Sequence, residues 1–315
     1  MLRITLSALV TALLALGVDV GPARAQPARV FVAAQGSDGN PCSFAQPCRT
    51  FQHAHDVVAA KGEIDVLDPA GYGVLTITKA ISIQGHGFSG ISVPSGGTGV
   101  TINAGVNDAV NLTGVLIEGN GAGFFGISFL VAGSLTIEQS MVRNIVKTGI
   151  SLSPSVSSTI TISDTFVANN SYGLGYLGII LFPSGATTVT ATFNRVELYN
   201  NGLGGIVIDG GNSTGTVRAT VLDSVAAHHV NTGFAATSAP TGAAVTLSIL
   251  RSTAAHNGGV GIFASGRASI LVGQSVGTQN LGGNAQAVSP GKIFTYTDNY
   301  FDGAGCTGCT VLVKE

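Results

Sequence analysis

The chain has 315 residues, a net charge of −2, only 10% charged residues, 45 glycines and no tryptophan. So little charge of either sign removes any electrostatic case for nucleic acid or an anionic membrane surface. The length allows one large core or two modest ones. At the N-terminus, Arg3, the apolar run "ITLSALVTALLALGV" and the small-residue close "ARA" at Ala25 have the form of a signal peptide over residues 1–25. The run is short for a membrane span and Asp19 interrupts it. The mature chain is therefore expected from about Gln26 as a periplasmic or secreted protein with no span.

Residues 26–48 hold Cys42 and Cys48 in "NPCSFAQPC", and residues 303–315 hold Cys306 and Cys309 in "CTGC". Four cysteines allow three pairings in an oxidising compartment. If the fold is a long rod, its two ends are far apart, and bridged Cα atoms must lie within about 7 Å, so local pairs are favoured. A redox role for "CTGC" would need a helix start after a strand, which the sequence does not offer there. Over 49–61 a short helix is expected, with Thr50 as its cap and Phe51, Ala54 and Val58 on one face.

The long middle, 62–302, repeats. Glycine followed by an apolar residue recurs at Ile127, Ile150, Ile179, Ile206, Phe234 and Ile262, at intervals of 23, 29, 27, 28 and 28. That is the period of a solenoid. Between the marks lie "TITIS", "TVTATF", "TVRATVL", "AVTLSIL" and "ASILV", short alternating runs bounded by Gly, Asn and Ser, which read as strands. No helical periodicity follows about residue 60. The unit is thus a coil of a single-stranded, all-β, right-handed parallel β-helix of about 9–10 coils, each strand pairing with its counterpart about 4.8 Å away. Counting back from the marks places Asn170, Asn201, His229, Asn257 and Asn280 in one column. Asparagine tolerates left-handed backbone angles and can stack its amides, so this column is expected to fill an inward corner.

The elements "GSDGNPC…PCRTFQ", the short helix, "DPAGYG" and "ITKAISIQG" resemble the opening of exported β-helix proteins of the pectin-lyase-like superfamily. The resemblance covers roughly the first sixty mature residues; "KIFTYTDNYFDG" looks like such a protein's last strands. It implies the fold, with the helix as a lid over the open end of the stack. For function it implies a surface suited to polysaccharides, since the superfamily includes pectate lyases and polygalacturonases. The chemistry of those enzymes is not matched. Gly85-His86-Gly87 supplies a "GHG", but in the first coils, where His86 reads as a turn residue; Asp-Asp, Asn-Thr-Asp and Arg-Ile-Lys are absent. Glycoside hydrolysis needs two carboxyl groups about 5–10 Å apart, and calcium wants six to eight oxygens. Along the Gly–Ile strands the outward residues are Ser151, Ile180, Phe182, Val207, Asp209, Ala235, Thr237, Phe263 and Ser265, with one carboxylate among them.

Two further columns emerge. Asp164, Arg195, Asp223 and Arg251 align in successive coils, with Gln274 next. Their alternating signs cancel the long-range field that a groove for polyanions would need, which favours a ladder of ion pairs. His228 and His256 align beside Asn200 and Gln279; a zinc site with His229 is opposed by the alternation of neighbours along a strand. Tyr172, Tyr176, Tyr199 and Phe182 form the one aromatic concentration in the repeats and the expected contact patch for sugar rings.

The reading is an exported, monomeric, non-catalytic β-helix without cofactor or metal, offering its side to a polysaccharide or envelope partner. Two alternatives stand beside it. One is a lyase or hydrolase with a divergent site, using Asp209 or the Asp223–Arg251 pair; the other is a passive rod or adhesin-like scaffold.

Overall fold

The computed structural model describes residues 25–171, 175–303 and 305–313. The expected signal peptide, Ala25 apart, lies outside the described residues, as does Tyr172.

Alternation in the sequence becomes alternation in burial. Within Thr216–Leu222, Val217, Ala219 and Val221 are buried while the residues between them face out. Each strand pairs in parallel with its equivalent one coil away, so Ile160, Ala191, Ala219, Leu247 and Ile270 are successive partners. The glycine-preceded marks form a second such column, Ile127, Ile150, Ile179, Ile206, Phe234 and Ile262. All six are at most 1% exposed, so the core is a set of aliphatic stacks running the length of the molecule. The strands gather into a ten-stranded sheet, from Leu75–Ile77 to Cys306–Thr307, and an 18-stranded sheet whose successive coils contribute a segment before and a segment after a sharp corner. This is a parallel β-helix, mostly β with one short helix.

Two left-handed residues per coil make its sharp corners. At the first stand Gln139, Asp164, Arg195, Asp223, Arg251 and Gln274, with φ between 47° and 53°. At the second stand Asn144, Asn169, Asn200, His228, His256 and Gln279, with φ between 51° and 59°. A left-handed residue bends the chain and turns the next side chain inward, where peptide groups need partners. At the first corner a hydroxyl meets that need. Ser252 Oγ accepts the Ser224 N–H (3.2 Å) and donates to Leu250 O (2.8 Å), and Ser275 Oγ does the same for Ser252 N–H and Gly273 O. At the second corner the inward residues are Asn170, Asn201, His229, Asn257 and Asn280, none more than 9% exposed. The left-handed angle expected of these asparagines belongs instead to the residue before each, which faces out and leaves the asparagine facing the core.

The glycines follow from that amide column. A Cβ at Gly178 would lie 2.9 Å from Asn201 Nδ2 and 2.9 Å from Gly205 O; one at Gly205 would lie 2.7 Å from His229 Nε2 and 2.7 Å from Gly233 O. In "NNGLGGI", then, Asn200 bends the chain, Asn201 fills the corner and Gly205 clears the space.

At the N-terminal end, helix α1 (Phe51–Val57) buries Phe51, Ala54 and His55, and Thr50 Oγ1 accepts the His53 N–H. It stops short of Ala60 because Val58 is already extended and Lys61 is left-handed (φ 65°) ahead of the strand at Gly62. The strand Arg29–Val32 pairs with Gly62–Val66, so the stack begins ahead of the helix. It also runs past residue 302, since Cys306–Thr307 and Cys309–Leu312 each join a sheet. Disulfides join Cys42 to Cys48 and Cys306 to Cys309, with Cα separations of 4.6 and 5.8 Å.

Candidate functional site

Residues facing out of the ten-stranded sheet align as they do inside it. One column reads Thr76, Thr101, Ser128, Ser151, Ile180, Val207, Ala235, Phe263 and Gln286. Hydroxyls occupy its first four coils and apolar groups the next four. Over the apolar half lies a groove of about 390 Å³, lined by Leu177, Leu203, Val207, Ala235, Val260 and Phe263, with Asn231, Thr232, Thr237 and Gln286 as its polar groups. At the exit edge Asp209, Thr237, Ser265 and Val288 align. Asp209 is the only carboxylate in these two columns, and its Oδ1 accepts the Gly211 N–H at 2.8 Å.

The entry edge carries a cluster that the aromatic count alone did not reveal. Lys147 Nζ lies 3.8 Å from the Phe124 ring centre and 5.7 Å from that of Tyr176, the separation expected of cation–π contact. Phe124, Lys147, Tyr176 and Leu203 each stand three residues before a glycine–apolar mark, so their alignment was countable. Tyr176 is 37% exposed, and its carbonyl accepts the Leu203 N–H, which links this edge to the groove.

The expected aromatic patch is therefore only partly assembled. Tyr176 and Phe182 flank the same strand, Leu177–Leu181, at its opposite ends, about 20 Å apart at the usual rise per residue. Tyr199 belongs to the other sheet, where its ring packs 5.9 Å from Phe166 and burial raises its hydroxyl pKa. Tyr176 precedes a strand of the ten-stranded sheet and Tyr199 ends one of the other sheet, with the left-handed bend at Asn200 after it.

The charged column stands at the first left-handed corner. Arg195 binds Asp164 through two hydrogen bonds of 2.5 and 2.6 Å, and Arg251 binds Asp223 through two of 2.8 Å. These bonds hold both carboxyls below the usual aspartate range. Asp209 and Asp223 are separated by the seven-residue strand Thr216–Leu222, about 20 Å of chain, so they do not flank a common bond. His86 sits at the equivalent left-handed position near the start, its Nε2 2.6 Å from Asp65.

In the amide column, Asn170 Nδ2 donates to Asn201 Oδ1 (3.0 Å) and Asn257 Nδ2 to Asn280 Oδ1 (2.8 Å). His229 accepts the Asn201 N–H at Nδ1 (3.1 Å), and its backbone N–H donates to Asn257 Oδ1 (3.0 Å). Burial lowers its pKa to about 4. His228 points the other way, into solvent, and stacks on His256 with ring centres 5.1 Å apart. The three histidines therefore do not converge. Among the described residues one cluster of three potential metal ligands occurs, Cys42, Cys48 and His53, and its two sulfurs form a disulfide. No described helix is long and apolar enough to cross a membrane.

These features define a parallel β-helix with an outer sheet face bearing a groove. Among solved structures, the pectate lyase Pel9A superposes with a TM-score of 0.61 at 17% identity, over 91% of this chain and 77% of that one. A rhamnogalacturonan lyase gives 0.57 at 12%, over 91% and 86%. The A-module of the Azotobacter vinelandii mannuronan C-5 epimerase AlgE6 gives 0.51 at 15%, over 84% and 82%. No family model and no curated protein matches the sequence. At such identities the likeness is one of fold.

Proposed function

We propose that this is an exported, non-catalytic β-helix protein that binds a polysaccharide along the outer face of its ten-stranded sheet. The observation that carries the reading is the groove over Val207, Ala235 and Phe263: an apolar floor with a few amide and hydroxyl groups, and no acid–base pair among its described lining residues. Sugar rings present just such mixed faces, C–H on one side and hydroxyls at the rim. The hydroxyl column from Thr76 to Ser151 extends the surface along the axis. The coil spacing of about 4.8 Å is close to the length of one pyranose unit, so successive sugars would meet equivalent positions. The three solved structures described above are named for polysaccharide-directed enzymes. Export rests on residues 1–25 of the sequence.

The test is retention of the folded protein on a panel of neutral and acidic polysaccharides, with ultraviolet detection of unsaturated products in the same samples. Retention by at least one polymer, lost in Val207→Asp and Phe263→Ala, with no product formed, is the expected result. Product formation would make the protein a lyase. No retention by any polymer would leave the passive rod.

A further inference from the structure

Away from the groove, on the second left-handed corner, His228 and His256 occupy adjacent coils. Their rings lie 5.1 Å apart and 5° from parallel, and both residues are exposed. Three other histidines each engage a ring nitrogen: His229 Nδ1 accepts a backbone N–H, His55 binds Thr78 N–H and Asp56, and His86 binds Asp65. No hydrogen bond engages a ring nitrogen of His228 or His256 among the described residues. Two imidazoles with free lone pairs, held side by side by the solenoid register, are a bidentate donor set.

We propose that His228 and His256 form a two-histidine site for a divalent late transition-metal ion, Cu²⁺ in preference to Ni²⁺ or Zn²⁺. Imidazole suits these ions, and for a given nitrogen site copper binds most tightly. Metal–nitrogen bonds of about 2.0–2.1 Å require the two donor atoms to lie within about 4 Å. The rings are already parallel at 5.1 Å, and exposed side chains reorient on the ps–ns scale, so a small tilt closes the gap. The neighbouring Asp302 carboxylate is engaged with Thr278 Oγ1, Asn284 Nδ2 and the Gln279 N–H. It contributes negative charge close by, and water or a ligand completes the coordination sphere.

The fold supplies its own control. Asn144, Asn169 and Asn200 hold the same left-handed corner in earlier coils, so His228→Asn and His256→Asn keep the backbone while removing one donor each. The experiment is calorimetric titration of the folded protein with CuCl₂, NiCl₂ and ZnCl₂ at pH 7.5, with electron paramagnetic resonance of the copper sample. One Cu²⁺ per chain with two nitrogen donors is expected, weakened at least about tenfold in either variant. Unchanged unfolding midpoints would show that both variants are folded; Gln, found at Gln279, is the second substitution if Asn fails. Absence of micromolar Cu²⁺ binding, or binding undiminished in both variants, would overturn the assignment.

Discussion

His229 is the one imidazole in a column otherwise built of amides, and replacing it with asparagine isolates what the column contributes. Its Nδ1 accepts the Asn201 N–H, so the neutral ring carries its proton on Nε2, and Nε2 has no hydrogen-bond partner among the described residues. The amides around it do better: Asn201 Nδ2 donates to Val167 O and Asn257 Nδ2 to Ala226 O. By the same register an asparagine at 229 would donate to Leu198 O. Removing an unpaired buried donor is worth about 1–3 kcal/mol, and the smaller side chain leaves a void that offsets part of it, for a net gain of about 1 kcal/mol at pH 7. The pH dependence is more diagnostic. Because the folded pKa is lowered from 6.5 to about 4, the unfolded chain binds this proton more readily. The stability tied to a neutral His229 is complete above pH 6.5, falls as pH drops, and is fully lost near pH 4. By pH 5 the loss is about 2 kcal/mol, and His229→Asn escapes it. Thermal unfolding of both proteins from pH 7.5 to 5 should show their midpoints separating by a further 4–8 °C or so, at about 2–4 °C per kcal/mol. Titrating groups that do not interact with His229 cancel in the difference. If the gap between variant and wild type stays constant across that range, the buried neutral imidazole is not what the structure indicates.

Ser252→Ala should cost about 1–3 kcal/mol, because it strips the Ser224 N–H of its buried acceptor; chemical denaturation measures it. Phe234→Ala, at a fully buried mark, should cost about 3–5 kcal/mol by the same assay and leave a cavity between the coils of Ile206 and Ile262. Asp223→Asn should leave the unfolding midpoint within experimental error, at low and at high salt, because its bond with Arg251 is solvent-exposed and Asn is tolerated at left-handed corners. A large, salt-dependent loss would mean that the charged ladder holds coils together.

The period was readable because one residue class, glycine followed by an apolar side chain, is forced at one place in every coil. Counting from Ile127 to Ile262 reproduces the strand register. The strand runs were legible for the same reason, since a buried face demands alternation. The hydroxyl ladder was not legible, because serine is common in any loop and acquires meaning only behind a left-handed residue. The doublets Gln139-Ser140, Asp223-Ser224, Arg251-Ser252 and Gln274-Ser275 carried that signal: first residue outward and left-handed, second inward and polar. Asn200-Asn201, His228-His229 and His256-Asn257 say the same of the other corner. The charged column was expected as a ladder of ion pairs; its members pair two by two and share a left-handed backbone angle that the sequence did not announce. The contact face was the least legible part. Alignment of Val207, Ala235 and Phe263 follows from the register, but a groove depends on how far each side chain rises from the sheet.

The skeleton therefore uses up most positions in a coil, and the glycine column shows how strictly. At Gly205 a methyl group would press on Gly233 O at 2.7 Å, His229 Nε2 at 2.7 Å and the Ala226 methyl at 2.9 Å. The first is backbone of the next coil and cannot withdraw without breaking the sheet. The second belongs to a buried ring held by the Asn201 N–H at Nδ1. Overpacking of this kind costs about 1–3 kcal/mol, and both neighbours being rigid places Gly205→Ala at the upper end. Gly71→Ala is the matched control: an added Cβ there meets nothing closer than 4.0 Å. Chemical denaturation should show a clear loss for the first and almost none for the second. Equal, small effects would mean that coils can slide apart to admit a side chain, and that the glycines recur for some reason other than clearance. If the losses divide as expected, inward residues, corners and glycines are all committed to holding coil on coil. The outward columns of the ten-stranded sheet are then free to vary without cost to the fold, and it is there that a ligand can be selected.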